Sequence, residues 1–426
     1  MNVCVIGAGL AGCEAAYAAA NNGADVVLYE MKPKKFSPAH HNSNFCELVC
    51  SNSLKSKEIS TASGLLKREM EFFNSVVLEC AYETAVPAGG ALAVDRELFA
   101  EAVTNKILST PNITFVNEEV FELPDADKVI IACGPLVDAE SNLYKIIKDL
   151  TGEHHSFFDA AAPILTADSI DMSKAFYQAR YNKGGDDYIN CPMTKDEYTA
   201  FYKELVSAER AVLHNGVESP KVFEGCMPVE ILAKRGEDSI RFGPLKPVGI
   251  TCPDGSKPYA VVQLRQDNKE GTLFNIVGFQ TNLKFSEQKR VFSMIPGLEN
   301  AEFVRYGVMH RNLYIDAPNL MNSDFSLKNN PDIYFAGQIS GVEGYLESAM
   351  SGMIAGYSAS GHRLKLSQYT MMGAISNYIS GGSTGNFQPM PANFGIVPPL
   401  DIRVKNKKER YTAYSERSLK FLSKKN

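Results

Sequence analysis

Residues 2–30 read "NVCVIGAGLAGCEAAYAAANNGADVVLYE", and this stretch decides the fold. "NVCVIG" is apolar enough for a buried strand. "GAGLAG" follows, with Gly7, Gly9 and Gly12 in G-x-G-x-x-G spacing. The Ala-rich run after it predicts a helix that ends near Gly23, and "ADVVLYE" predicts a second strand that closes on Glu30. Each glycine has a separate task in a dinucleotide-binding unit. Gly7 permits the tight turn, Gly9 lets backbone approach a pyrophosphate, and Gly12 lets the helix pack closely on the strand. The backbone of Ala8, Leu10 and Ala11 completes the turn at the helix N-terminus, where the dipole and free N–H groups favour phosphate. Glu30 lies 18 residues beyond Gly12, where a carboxylate accepts a ribose hydroxyl.

A second element stands far along the chain. "PDIYFAGQISGVEGYLESAMSGMIAG" (331–356) predicts a strand, a Gly-rich turn at Gly337, Gln338 and Gly341, and a long helix. A nicotinamide dehydrogenase needs only the N-terminal unit, so this late segment favours FAD as the resident cofactor. Between the two, "PAGGALAVDRELFAEAVTNKI" predicts a turn, a strand and a helix beginning near Asp95. "ADKVIIACGPL" predicts a buried strand that ends at Gly134-Pro135. From about 150 to 305 the texture shifts to alternating strands with helical pieces. The fold class is therefore α/β, an FAD-binding Rossmann-like domain with an inserted mixed α/β domain. The expected spans are 1–150 and 306–400 for the FAD-binding domain, 151–305 for the insertion carrying Cys226, and 401–426 for a basic C-terminal tail.

Composition excludes several classes. No apolar run reaches the length of a membrane span, and the N-terminus opens on a strand without a basic leader. A cytoplasmic location is expected. Nine cysteines, an odd count without a C-x-x-C pair, argue against a disulfide framework and a zinc site. His40-His41 has no ligand cluster in sequence around it, and no metal is expected. The net charge is −6, but residues 401–426 carry nine Lys/Arg against three Asp/Glu, leaving −12 on the rest. That segment reads either as a polyanion contact or as a solvated helix.

Residues 31–62 lack periodicity, and a loop of that length in a compact domain is usually functional. It contains "ELVCSNSL" (47–54), which puts Cys50 among short polar residues. A buried structural cysteine prefers apolar neighbours. Cys226 stands in a similar Gly/Pro turn, "FEGCMPVE" (223–230).

These motifs, with "LYEMKP", "FGPLKPVG", "VRYGVMHRN" and "NFQPMPANFG", resemble in order and over essentially the whole chain the folate- and FAD-dependent RNA uridine-5-methyltransferases of the TrmFO (Gid) family. That family is similar in fold to the GidA/MnmG tRNA-modifying flavoproteins. The resemblance implies formation of 5-methyluridine in the tRNA T-loop. It also implies 5,10-methylenetetrahydrofolate as carbon donor, FAD as cofactor, and NADPH or NADH as reductant. Cys226 resembles the family's nucleophile, and Cys50 its second active-site cysteine, which acts as acid/base or shields the flavin adduct. Tyr345 resembles an aromatic that covers the flavin ring. Such chemistry suits two thiols, or a thiol and another base, because C5 of uracil becomes nucleophilic only after addition at C6 and must then lose its proton.

In this chain Cys13, Cys46 and Cys133 replace residues usually Ser, Ala or Thr in the family. Cys46 would share a face with Cys50 if the segment formed a helical turn. Lys234, Arg235, Lys246, Arg265, His310 and Arg311 are candidates for folate or RNA contact. Three other readings stand beside the first: the same chemistry on ribosomal RNA, a flavin oxidoreductase acting on a small molecule, and a non-catalytic FAD-bound RNA-binding scaffold.

Overall fold

The computed structural model describes residues 1–37, 39–152, 155–182, 185–211, 227–382 and 387–423; at 155–159, 182, 310–311 and 382 only the backbone is described. Five parallel strands lie in the order Ile333–Phe335, Lys128–Ile131, Asn2–Ile6, Asp25–Tyr29, Ile113–Val116. Asn2–Ile6 is central and buried beyond its first residue, which is why it reads as an unbroken apolar run. The helix Leu10–Asn21 follows it, capped by Gly9. The helix Arg96–Leu108 begins directly after Asp95, whose carboxylate accepts from Glu97 N and Leu98 N.

The late strand Ile333–Phe335 enters this same sheet beside Lys128–Ile131 and feeds the helix Tyr345–Ala359. Two glycines fix that helix against Leu10–Asn21. A Cβ added at Gly352 would sit 2.0 Å from Ala11 O, and one at Gly356 would sit 2.3 Å from Ala15 O. Four-residue spacing on both helices lines up small residues, so the backbones touch directly. The first and last parts of the nucleotide-binding body are thereby joined.

Six antiparallel strands form a second sheet, in the order Phe176–Tyr177, Tyr188–Met193, Ala260–Gln266, Leu273–Ile276, Ile164–Thr166, Phe303–Arg305. It has its own apolar core, including Tyr198, Phe201, Phe274, Phe279 and Phe292. The chain leaves for this sheet along His155–Ala160 and returns along Met309–Tyr314, and these two strands pair with each other. A small sheet of Ser53–Ser56, Ala91–Val94 and Ala85–Val86 follows the cysteine-bearing loop. Lys67 pins it from below: its buried ammonium donates to Leu54 O at 2.5 Å and Ser56 O at 2.9 Å. Burial lowers that group to about 8.

The basic C-terminal segment is a docked element. Its helix Lys407–Ser423 buries Ser415, Ser418 and Leu422. Ser415 Oγ donates to Ile59 O at 2.6 Å, and Ser418 Oγ donates to the buried Glu69 carboxylate at 2.5 Å. The Arg417 guanidinium covers the Tyr369 ring at 4.5 Å and donates to Pro398 O and Pro399 O. The docking face combines these serines with Leu422 and with Tyr411 and Tyr414, whose rings pack on Phe394. Among the described residues, no helix is long and apolar enough to cross a membrane.

Two outcomes test this packing. Gly352→Val should lower stability by about 1–3 kcal/mol or more through overpacking, and should reduce flavin retention, read by thermal melting and absorbance. Ser418→Ala should cost about 1.5–3 kcal/mol in urea unfolding, since it removes a hydrogen bond to a buried carboxylate.

Candidate active site

One cleft of about 1180 Å³ runs between the first sheet and the insertion. Gly7, Ala8, Gly9, Leu10 and Ala11 line it, as do Glu30, Gly337, Gln338, Cys50 and Tyr345. Its volume exceeds the usual range for a single drug-sized ligand and suits a dinucleotide with a further ring beside it. The lining fits FAD on geometry. The fingerprint helix opens on Gly9 without any side-chain cap, so its first N–H groups remain for a ligand. A Cβ at Gly9 would meet nothing within 4 Å, which leaves the approach open. Gly7 has φ +99°, and its Cβ would lie 2.6 Å from Ala132 O. The Glu30 carboxylate accepts from Ala8 N at 2.8 Å and Lys32 N at 2.9 Å, which fixes it at the cleft wall.

Gly12 stays out of the lining. Its Cβ would sit 1.7 Å from Gly7 O, so it serves the close turn–helix contact. Gly341 is also absent from the lining, contrary to the reading of it as a cofactor contact. It takes φ +86° in the turn after Gln338, and its Cβ would strike the Phe387 ring at 2.4 Å. Gln338 lies in the wall and donates to Glu343 Oε2 at 2.8 Å.

The Cys50 loop is held by its own backbone. Arg96 donates to Leu48 O and, at 3.2 Å, to Cys50 O. Arg305 donates to the carbonyl between them, Val49 O, at 2.5 Å. Arg96 is in turn fixed by Asp267 Oδ2 at 2.8 Å. Burial opposes the charge on Arg96, but the adjacent Asp267 outweighs it. Two residues on, Asn52 accepts from Arg265 Nε at 3.0 Å and donates to Val94 O and Gln266 O. Asp267, Arg265 and Arg305 all come from the second sheet or its immediate flank, so the loop is sewn to both bodies.

With its carbonyls drawn one way, the loop offers Cys50 to the cleft. Cys50 N–H donates to the Tyr345 hydroxyl at 2.7 Å, and its thiol lies 3.6 Å from Ala160 O. Tyr345 opens the helix Tyr345–Ala359, after Gly344 at φ +117°.

Several of the other described thiols are held protonated by their surroundings. Burial pushes Cys4, Cys80, Cys133 and Cys191 up to about 12, so they hold their protons at neutral pH. Cys133 nevertheless lines the cleft. Cys46 is 1% exposed, has φ 52° and lies outside any helix, so it does not share a helical face with Cys50. Its N–H donates to Ala8 O at 3.0 Å, and its thiol faces Cys13, which burial and this contact push well up. Cys226 lies outside the described residues. Both flanks of its segment meet one stretch of chain: Ala211 N donates to Asn282 O at 2.8 Å, and Val229 N to Gln280 O at 2.7 Å. Asn282, Leu283 and Lys284 line the cleft.

A family model described as "Glucose inhibited division protein A" (GIDA) matches residues 2–367. A protein of Acetivibrio thermocellus named methylenetetrahydrofolate–tRNA-(uracil-5-)-methyltransferase TrmFO is 57% identical over 98% of this chain and 97% of its own. One of the same name from Ligilactobacillus salivarius is 54% identical over 98% and 97%. The chain belongs to the TrmFO branch of the GidA family. Among solved structures, Aquifex aeolicus GidA in its form I crystal aligns with a TM-score of 0.69 at 16% identity, over 99% of this chain and 75% of that one. Its form II crystal gives 0.67 at 17% identity, over 100% and 75%. At that identity the likeness concerns the fold.

In this TrmFO-family chain, several candidate contacts fall elsewhere than expected. Arg265 is buried in the loop clamp and absent from the cleft wall, a correction to its reading as a ligand contact. Lys234, Arg235 and Lys246 are exposed and do not line the cleft. The side chains of His310 and Arg311 lie outside the described residues. His40 does line it, with Nδ1 against Ser37 Oγ at 2.5 Å, and burial lowers its titration. Arg96, Arg305 and Asp267 were not singled out from sequence, because a clamping arginine and a solvated one look alike there.

Arg96→Ala should destabilise the protein by about 3–5 kcal/mol in urea unfolding, since it strands buried Asp267 without its cation. Arg96→Lys should recover only part of that loss, because an ammonium lacks the fork that spans Leu48 O and Cys50 O.

Proposed function

We propose that this protein methylates uridine at C5 in tRNA, giving 5-methyluridine in the T-loop. It takes the carbon from 5,10-methylenetetrahydrofolate and uses NADPH or NADH as reductant. The cytoplasm is the proposed location. The observation that carries the reading is the single cleft in which the FAD-binding turn, the late Gly337–Gln338 element, Cys50 and Tyr345 meet. Near-full-length identity to proteins named for this reaction supports it.

When bound, the flavin supplies the redox chemistry and carries the one-carbon unit. The chain's own residues divide the remaining tasks. Gly9 and the uncapped N-terminus of Leu10–Asn21 would hold the pyrophosphate, and Glu30 the ribose. The Cys226 thiolate adds to C6 of the uracil, which makes C5 enolate-like. Once C5 has taken the carbon, Cys50 accepts the C5 proton, and the Cys226 thiolate leaves C6 as the C5–C6 double bond re-forms. Its placement supports that role: the two arginines fix the loop, Tyr345 fixes the Cys50 N–H, and the thiol remains partly exposed in the cleft. Of the other described cleft-wall cysteines, Cys46 is sealed from solvent, and Cys133, partly exposed like Cys50, has its thiol pushed up to about 12 by desolvation.

Cys226→Ala and Cys50→Ala should each cut methylation by at least about 10²–10⁴-fold while FAD stays bound, because each removes one step on the same ring. Cys46→Ala should be nearly silent. Nucleoside mass spectrometry of RNA incubated with enzyme, NADPH and isotopically labelled methylenetetrahydrofolate reads both results. Label must appear in 5-methyluridine; its absence, with transfer from labelled S-adenosylmethionine instead, would sink the proposal.

A further inference from the structure

The insertion ends at the cleft in a column of stacked rings. Phe303 and Tyr306 lie parallel, with centroids 5.1 Å apart and planes 7° apart. Phe285 stacks on Tyr306 in turn, with centroids 4.7 Å apart and planes 15° apart. The column is rooted in the insertion core, where Phe303 meets Phe292 at 6.5 Å and Phe292 meets Phe279 at 5.2 Å. Its outer end is open. Phe285 is 54% exposed and lines the same cleft as Cys50 and Tyr345.

An exposed phenylalanine forgoes part of the free energy that burying its side chain would contribute. Here the ring is held by its stack on Tyr306 and by its place at the first turn of the helix Phe285–Phe292. A rigid, parallel, half-open stack is a ready partner for one more flat ring. The same stretch of chain, Gln280–Lys284, anchors both flanks of the segment that carries Cys226. The open ring therefore stands at the rim of the cleft, directly after residues that anchor the thiol's segment.

We infer that Phe285 is a stacking platform for a nucleobase of the RNA substrate, held at the rim while the target uridine enters the cleft. This rests on the function proposed above. A base that undergoes chemistry must leave its stack, and an aromatic at the rim replaces part of the lost stacking. RNA is too bulky to enter beyond the extruded nucleotide, so an exposed ring on the cleft wall is what it would meet. Any base presents a π face, so the platform is tolerant of sequence.

The test uses the full-length, FAD-loaded protein with a T-arm stem–loop RNA carrying 2-aminopurine in its loop. Phe285→Ala should weaken RNA binding by about 5- to 150-fold, the range of one base–aromatic stack, and should relieve the fluorescence quenching on binding. Phe285→Trp should retain both affinity and quenching. The KM for methylenetetrahydrofolate and the rate of flavin reduction by NADPH should not move, and melting temperature confirms an intact fold. Unchanged RNA affinity in Phe285→Ala, with wild type active, overturns the platform alone. A defect confined to the folate KM overturns it in favour of a pterin site. A wild-type protein that neither binds nor methylates the RNA overturns the proposed function, and the platform with it.

Discussion

The structure depends on the contact between Leu10–Asn21 and Tyr345–Ala359. Gly352 and Gly356 bring one helix backbone onto Ala11 O and Ala15 O, and no larger residue leaves room for that approach. This contact lets a chain depart for a second sheet and return to complete the first. It carries Gly337 to the fingerprint turn, where its Cβ would lie 3.2 Å from Ala11 Cβ, and it aims Tyr345 at Cys50. A cleft built from the two ends of a long chain exists only because these helices lock.

Around that lock, buried ions do the joining that apolar packing cannot direct. Arg96 and Arg305 gather three consecutive carbonyls of the Cys50 loop, and Asp267 holds Arg96 from the second sheet. Three buried glutamates act in a related way on free backbone N–H groups. Glu14 accepts from Val77 N and Ser75 Oγ, Glu69 from Met371 N and Met372 N, and Glu230 from Asn282 N and Thr281 Oγ1. Burial raises Glu14 and Glu69 to about 7, against the pull of those donors. A buried carboxylate is stable only where such donors converge, so each of these fixes a register between distant segments.

The same economy separates the thiols. Most of the described cysteines are packed as small apolar groups whose burial keeps them protonated, while Cys50 sits on a loop whose backbone is satisfied and whose side chain remains accessible. A polar setting is what lets a thiol take part in proton transfer, and the clamp supplies it without giving up a defined position.

The sequence by itself determined the nucleotide-binding unit, because glycine spacing, strand runs and the acidic residue act over short distances. It also identified the late strand–turn–helix, the helix start at Asp95 and the unusual setting of Cys50, since local chemistry marks each one. Tertiary structure alone decided the rest. Arg96, Arg265 and Arg305 look like solvated arginines in a string of letters, and only the fold shows which carbonyls and carboxylates surround them. The final helix looked like a basic tail because its docking face mixes serines with tyrosine rings, and what each contributes depends on Ile59 O, Glu69 and Phe394 being there to receive it. Gly341 resembled a cofactor contact by its place in the turn, yet Phe387 occupies its approach. Short-range propensity is written in neighbouring residues; long-range hydrogen bonding needs both partners, and one of them lies hundreds of positions away.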